Sequence, residues 1–179
     1  MQNMLAEDEY ASSYSSYVKL VPDGDIIQTL AKQMEKTIGL LLDISDEQAH
    51  FRYAPGKWTI KEIIGHMADS ERVMAYRLLA IARGDTVSLP GFDEKEYAQH
   101  ASFDKQSVKD LLQNLNIVRQ STIHLIKSLT KEDLLRRGTA NNTEITVRAL
   151  IAIIAGHELH HCNIIRDRYF GDATYPKAI

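Results

Sequence analysis

The sequence predicts an all-α fold, a four-helix bundle with long connecting loops. Four long segments carry apolar residues at intervals of three and four positions, a spacing that gathers them on one face of a helix. No stretch shows the convincing alternation of apolar and polar residues that is typical of a β-strand. Long polar connections separate the helical segments, which can bury their apolar faces by packing together as a bundle.

The composition is that of one globular domain. The 179 residues are 44% hydrophobic and 25% charged, within the usual range for a folded soluble protein. A chain of this length is expected to form a single domain, residues 1–179, with residues 1–17 as an irregular lead-in on the surface. The net charge of −3 gives no reason to expect a nucleic-acid partner.

The sequence also bears on the location of the protein. No apolar run reaches the roughly 18–20 residues that a membrane-spanning helix needs, so no membrane partner is expected. The first residues include Glu7, Asp8 and Glu9 and lack an apolar core, unlike a secretory signal. Cys162 is the only cysteine and cannot form an intramolecular disulfide, as fits a reducing compartment. We therefore expect a cytoplasmic protein.

Capping residues mark the first two helices. The first helix is predicted over residues 25–43, because an aspartate that can cap its N-terminus precedes the apolar periodicity. The second is predicted over residues 59–83, because Thr59 and Glu62 have the spacing of a capping box. Gly84 then supplies a stop signal.

The second half of the chain contains a long connection and two further helices. Residues 84–102 form the longest stretch predicted to be irregular, and loops of this length in compact domains are often functional. A third helix is predicted over residues 104–129 from its apolar spacing. After another polar connection, the fourth helix begins at Thr143 or Thr146 and runs to Tyr169.

Two histidines in the fourth helix predict a metal site. His157 and His161 are four residues apart and follow an apolar run, so they stand one turn apart on a largely apolar stripe. Neutral imidazoles that face a core need a partner for their nitrogen lone pairs, and a divalent metal is such a partner. His160 lies about 80° away around the helix and is the weaker candidate.

His66 on the second helix is the predicted third ligand. Three neutral imidazoles with an open position for water or substrate form a recurrent catalytic zinc geometry, and nickel, manganese or iron could also accept it. Glu62 and Asp69 lie about one turn before and after His66, and they are the candidates for orienting its ring. The alternative is that both are ordinary solvated carboxylates of the helix.

Other chemically interesting residues are expected to have structural or surface roles. His50, His100 and His124 are expected to be structural or exposed. The fourth helix also contains the zincin motif His-Glu-x-x-His, but no glutamate follows Glu158 to complete that site. Glu158 is therefore expected to be a solvated charge. Cys162 is expected to be a buried and inert thiol.

With these residues in place, the chain resembles the DinB/YfiT-like superfamily of metal-binding four-helix bundles over about residues 17–169. The specific part of the resemblance is the pattern Trp-x3-Glu-x3-His that ends at His66, followed later by His-x3-His at His157 and His161. The resemblance also includes residues 52–62, 66–72, 76–77, 82–85 and 89–93.

The resemblance implies that His66, His157 and His161 bind a divalent metal, usually nickel or zinc, and that the protein forms a homodimer. Characterised members of the family are thiol S-transferases that use bacillithiol, mycothiol or glutathione, or metal-dependent isomerases and hydrolases. We therefore expect a metal-dependent low-molecular-weight thiol S-transferase that acts on small electrophiles. The alternatives are a metal-dependent hydrolase that activates water and a non-enzymatic, metal-stabilised stress-response bundle.

Two arginines and one departure from the family pattern complete the prediction. Arg77 and Arg168 fall near the histidine faces on a helical wheel and could attract the carboxylates of a thiol cosubstrate. Solvated arginines at the end of a bundle are the simpler interpretation.

An Arg-Gly-Gln tripeptide commonly follows the last histidine in the family. Here Cys162, Asn163 and Ile164 stand in its place, so no role of that tripeptide is carried over.

Overall fold

The computed structural model describes residues 5–177 and confirms a mostly helical protein built on a four-helix bundle. The long helices are α2 (Ile26–Leu41), α4 (Ile60–Ala82), α6 (Val108–Lys127) and α8 (Val147–Ile164). The short ones are α1 (Ser15–Val18), α3 (Asp46–His50), α5 (Glu94–His100) and α7 (Lys131–Leu135). A π-helical turn, Ile165–Phe170, continues α8. Within the described residues, no helix is both long and apolar enough to cross a membrane.

Side-chain caps set the starts of the four long helices. Asp25, Thr59, Ser107 and Thr146 are the N-caps, and the side-chain oxygen of each accepts a hydrogen bond from a backbone N–H of the first turn. The predicted capping box is confirmed, because Glu62 accepts a hydrogen bond from the backbone N–H of Thr59 at 2.6 Å. The third helix begins later than predicted because its cap follows a separate 3-10 turn.

Helix α8 is the central element of the bundle. Residues 149–158 are buried without interruption, and a helix that is buried all round lies in the interior of its domain. It packs against α1, α2 and α4, while α6 packs against α2 and α4. The core accordingly forms two apolar clusters, one around the first half of α8 and the other around the first half of α4.

The prediction that the chain contains no strand is wrong in one place. Strands β1 (Arg137–Ala140) and β2 (Thr143–Thr146) form an antiparallel hairpin immediately before α8. Asn141 and Asn142 make its two-residue turn, with φ angles of 51° and 60°. Asparagine tolerates this left-handed conformation, which tight hairpins favour. Strands of four residues are too short to show a persuasive alternation in the sequence.

The predicted loops also contain regular structure. Residues 84–102, expected to be irregular, include α5, whose N-cap Asp93 accepts hydrogen bonds from two backbone N–H groups of its first turn. The same segment is tied to the hairpin, where Leu89 forms a bridge with Ala140. Helix α7 lies in the polar connection before the hairpin. The long connections are therefore anchored to the bundle rather than loose on its surface.

The predicted lead-in packs against α8 instead of lying irregularly on the surface. Glu9 is buried, and its carboxylate accepts hydrogen bonds from the Arg148 guanidinium at 2.6 Å and from the Thr146 hydroxyl at 2.9 Å. Helix α1 then packs along α8. Residues 1–4 of the lead-in lie outside the described part of the chain.

The backbone at the end of the lead-in passes very close to α8 at Gly156. A Cβ at Gly156 would lie 2.1 Å from the backbone oxygen of Tyr17, so only glycine fits without movement of the backbone. The same approach places the ring of Tyr17 5.5 Å from the ring of His157.

We expect Gly156→Ala to destabilise the protein by about 2 kcal/mol, because the added methyl group overpacks the contact between α8 and the lead-in. The matched control is Gly39→Ala in α2, where a Cβ meets nothing within 4 Å. That substitution should stabilise the helix by about 0.5–1 kcal/mol. Urea unfolding of both variants measures the difference. Equal stability of the two variants would contradict the close approach at Gly156.

Candidate metal centre

Three histidines from two helices converge inside the bundle. His66 on α4 and His157 on α8 place their Nε2 atoms 3.1 Å apart, and Nε2 of His161 lies 3.1 Å from Nε2 of His157. The three potential ligand atoms all lie within 4.8 Å of one another, and all three residues are buried. The structure therefore brings together the predicted set of residues from positions far apart in the sequence.

The convergent nitrogens fit a divalent metal. Burial lowers the pKa of His66 to about 4 and holds the pKa values of His157 and His161 well below 6.5, so all three rings are neutral near pH 7. Nδ1 of His161 has no partner within residues 5–177, and the polar contact of this buried ring is made by Nε2 alone. Three neutral imidazoles that direct nitrogens toward one point match the ligand set of a catalytic zinc or similar site.

Ser70, rather than the predicted carboxylates, contacts the outer nitrogen of His66. Its Oγ lies 3.3 Å from Nδ1 of His66, one helical turn away, which leaves Nε2 facing the other two histidines. Glu62 instead accepts a hydrogen bond from Arg52 and serves as part of the helix cap. Asp69 pairs with the neighbouring Arg72 at 3.1 Å. Neither of the two predicted partners contacts an imidazole. The sequence signal for the observed partner of His66 was a serine four residues after it.

The remaining histidines lie outside the cluster, as predicted. His160 is half-buried, its ring packs against Tyr17 at 5.0 Å, and it is not among the three histidines whose ligand atoms converge. His50, His100 and His124 are exposed. Sequence spacing therefore separated the clustered histidines from the others correctly.

The prediction that Glu158 is a solvated charge is wrong. Its carboxylate is buried, accepts a hydrogen bond from the Thr37 hydroxyl at 2.6 Å, and pairs with Arg119 at 2.6 Å. Arg119 also donates two hydrogen bonds to Glu71, at 2.8 and 2.9 Å, and one to the backbone oxygen of Leu30. Sequence spacing could not reveal the long-range partners that make this burial possible. Because its carboxylate is held in this network, Glu158 is not available as the base of a zincin.

The predictions for Cys162 and Arg168 agree with the structure, whereas the simpler interpretation of Arg77 does not. Cys162 is buried with its sulfur 3.3 Å from the Thr37 hydroxyl, and burial raises the pKa of its thiol to about 11, as expected for an inert thiol. Arg168 is exposed. Arg77 is buried, contrary to the simpler interpretation, and its guanidinium donates a hydrogen bond to the backbone oxygen of Pro90 at 2.7 Å.

Two cavities reach the histidine cluster. One, here called the tryptophan cavity, has a volume of about 470 Å³ and includes His161 in its lining. The second, here called the tyrosine cavity, has a volume of about 270 Å³ and includes His157. The tryptophan cavity is also lined by Arg52, Tyr53, Lys57, Trp58, Lys95 and Tyr169. The tyrosine cavity is also lined by Tyr14, Tyr17, Ser70, Arg77, Phe92 and Glu94.

Glu94 is a site residue that the sequence did not single out. Its Oε2 lies 3.6 Å from Nε2 of His66, although the side chain is 59% exposed. It belongs to α5, inside the segment that was predicted to be an irregular and functionally important loop. Burial and the negative charge of Glu94 both raise the pKa of Tyr17, which lines the same cavity.

Comparison with known proteins places this helical chain in a family. The sequence model of the DinB superfamily matches residues 29–165. The chain belongs to the DinB superfamily. Two proteins of Oceanobacillus iheyensis, each named "Putative metal-dependent hydrolase", are similar in sequence. One is 28% identical over 136 residues, 75% of this chain and 76% of the relative. The other is 30% identical over 139 residues, 75% of this chain and 77% of the relative.

Two solved structures share the fold of this DinB-superfamily chain. YfiT from Bacillus subtilis, described as a probable metal-dependent hydrolase with an unusual four-helix bundle topology, superposes with a TM-score of 0.72 at 21% identity. The match covers 79% of this chain and 84% of YfiT. The DinB-like protein YjoA from Bacillus subtilis gives a TM-score of 0.57 at 20% identity, covering 86% of this chain and 97% of YjoA. The predicted superfamily and fold are confirmed.

The burial of neutral His66 predicts a pH-dependent loss of stability in metal-free protein. Between pH 6.5 and about 4, the unfolded state binds a proton that folded His66 does not, so stability falls as the pH is lowered. For this one group the full loss is about 3 kcal/mol. Urea unfolding in the presence of a chelator, from pH 7 to pH 4, should therefore show a shallower decline for His66→Gln than for the parent protein.

The matched control is His100→Gln, which alters an exposed histidine on α5. It should follow the parent protein across the same pH range. Parallel curves for the parent protein and His66→Gln would show that His66 is not held neutral by burial.

Proposed function

We propose that the protein is a divalent-metal-dependent enzyme, a low-molecular-weight thiol S-transferase that acts on small electrophiles. The observation that carries the proposal is the convergence of three buried, neutral imidazoles, of which His161 lines the tryptophan cavity and His157 lines the tyrosine cavity. The names of the Oceanobacillus relatives support the metal dependence. The proposed partners are therefore a small thiol and an electrophile.

His66, His157 and His161 are the proposed ligands of the metal, with nickel and zinc as the leading candidates. Imidazole nitrogens suit both ions. A divalent cation held by three neutral imidazoles would lower the pKa of a coordinated thiol or water, so that its deprotonated form is available near pH 7. Ser70 holds the ring of His66 in the orientation that directs Nε2 inward.

The residues around the cluster suit the binding of a small organic anion. Trp58 and Tyr53 give the tryptophan cavity apolar walls, while Lys57 and Lys95 add positive charge to its lining. A cleft whose lining carries positive charge attracts carboxylates. No protein nucleophile is required, because the small thiol is itself the attacking group. The buried Cys162 thiol, with its pKa raised to about 11, stays protonated near neutral pH and does not compete with it.

The two cavities favour group transfer over hydrolysis. A transferase must bring two organic molecules to one centre, and the tryptophan and tyrosine cavities reach the cluster past different histidines. A hydrolase needs room for one organic substrate and a water molecule. Hydrolysis is the second candidate function, because the relatives are named as hydrolases and the same ligand set can activate water.

We also propose a cytoplasmic homodimer. The resemblance to the DinB/YfiT-like family is the support for the dimer. The single, buried cysteine supports a reducing compartment.

Metal analysis of purified variants tests the proposed ligands. His66→Ala, His157→Ala and His161→Ala should each lower the bound metal from about one ion per chain to below about a tenth, because two imidazoles bind far more weakly than three. His160→Ala is the matched control on the same helix and should keep its metal. Full metal content in any of the first three variants would contradict the ligand assignment.

Parallel assays with the nickel- and zinc-loaded protein test the reaction. Conjugation of monochlorobimane should be observed with at least one of bacillithiol, mycothiol and glutathione. His157→Ala should lower the rate by about a hundredfold or more, because metal catalysis supplies several kcal/mol. Hydrolysis of activated esters without conjugation would select the second candidate. Absence of both activities with each metal would leave a metal-stabilised bundle without an enzymatic role.

A further inference from the structure

Glu94 is held on an anchored element beside the histidine cluster. It is the first residue of α5, whose cap Asp93 accepts hydrogen bonds from the backbone N–H groups of Lys95 and Glu96 at 2.9 and 3.0 Å. Ala98 on the same helix is buried in the apolar cluster around α4. The backbone of Glu94 is therefore fixed, while its side chain reaches into the tyrosine cavity.

The carboxylate of Glu94 lies at one edge of the cluster, next to His66. Its Oε2 is 3.6 Å from Nε2 of His66, the nitrogen that faces His157. The set of donor atoms that lie within 4.8 Å of one another contains the three histidines and does not include Glu94. This placement suits contact with a molecule bound at the cluster better than direct completion of the ligand set.

The chemistry of a carboxylate restricts what can bind next to it. An ionised carboxylate only accepts hydrogen bonds. A ligand atom that carries a hydrogen can donate it to Oε2 in a charge-assisted bond, which is stronger than a neutral one. An anion without a hydrogen meets only repulsion from the same oxygen. Tyr17 and Ser70 line the same cavity with uncharged hydroxyl groups, and Arg77 adds a positive charge, its guanidinium donating a hydrogen bond to the backbone oxygen of Pro90 at 2.7 Å. The repulsion from Glu94 therefore acts on a ligand atom that lies next to its own oxygen, beside His66.

We propose that Glu94 accepts a hydrogen bond from the ligand that enters the tyrosine cavity at the histidine cluster, and so selects ligands bearing O–H, N–H or S–H over anions without a hydrogen. This inference rests on the proposed function, since it assumes that the cluster holds a cation. According to this proposal, α5 carries the residue that determines which ligands bind at the histidine cluster. A thiol, an alcohol or a water molecule passes this selection as it enters, while it still carries its hydrogen, whereas azide or a carboxylate is disfavoured in this cavity.

Ligand binding to the cobalt(II)-loaded protein tests the proposal through its visible absorption spectrum. The probes are azide, which has no hydrogen, and acetohydroxamic acid, which has N–H and O–H groups. Glu94→Gln should tighten azide binding and weaken acetohydroxamic acid binding, changing the ratio of the two dissociation constants by about tenfold or more. The control is Glu96→Gln, which removes the same charge from an exposed position on the same helix and should leave the ratio within about twofold.

The outcomes separate this proposal from the proposed function. If Glu94→Gln and Glu96→Gln give the same ratio while His157→Ala loses its cobalt, the selective role of Glu94 is wrong and the metal centre stands. If the parent protein takes up no cobalt, or if His157→Ala keeps it with an unchanged spectrum, both proposals are wrong. Circular dichroism of Glu94→Gln should match that of the parent, because the replaced side chain is 59% exposed.

Discussion

A buried ionic network around Arg119 holds together the helices that carry the histidines. Arg119 on α6 pairs with Glu71 on α4 and with Glu158 on α8, and it also donates to the backbone oxygen of Leu30 on α2. Although burial disfavours its charged form, the two carboxylates raise the pKa of Arg119 above its usual value. Removing three charges from water is expensive unless their geometry is well satisfied. The relative register of α4 and α8, and hence the convergence of the histidines, depends on this network.

Most of the bundle could be predicted from local sequence patterns, whereas the network could not. Apolar periodicity and capping residues located the four long helices, and the i, i+4 spacing of His157 and His161 identified one side of the histidine cluster. The burial of Glu158 depends on Arg119, thirty-nine positions away in the chain, and no local pattern encodes such a partner. The hairpin was not predicted for a different reason. Strands of four residues give too weak a signal in the sequence, and only the Asn141–Asn142 turn indicated a hairpin.

The centre combines a rigid interior with walls supplied by the connections. The ligand candidates belong to α4 and α8, two long helices that pack against each other in the core. Glu94 comes from α5 and Tyr17 from α1, two elements that the sequence presented as loop and lead-in. With this arrangement, the helices of a bundle can keep one ligand set while the connecting segments determine which molecules bind next to it. The superfamily match covers residues 29–165, so Glu94 lies inside the matched region and Tyr17 lies outside it.

The contact between Tyr17 and Gly156 also constrains the order in which the protein can be completed during synthesis. The Tyr17 backbone can reach its final position only against α8, which is encoded near the opposite end of the chain. On the ribosome, Tyr17 emerges well before α8 and can settle only after that helix has been synthesised. A nascent chain has no finished tyrosine cavity, and an ion captured early would meet His66 without its two neighbours.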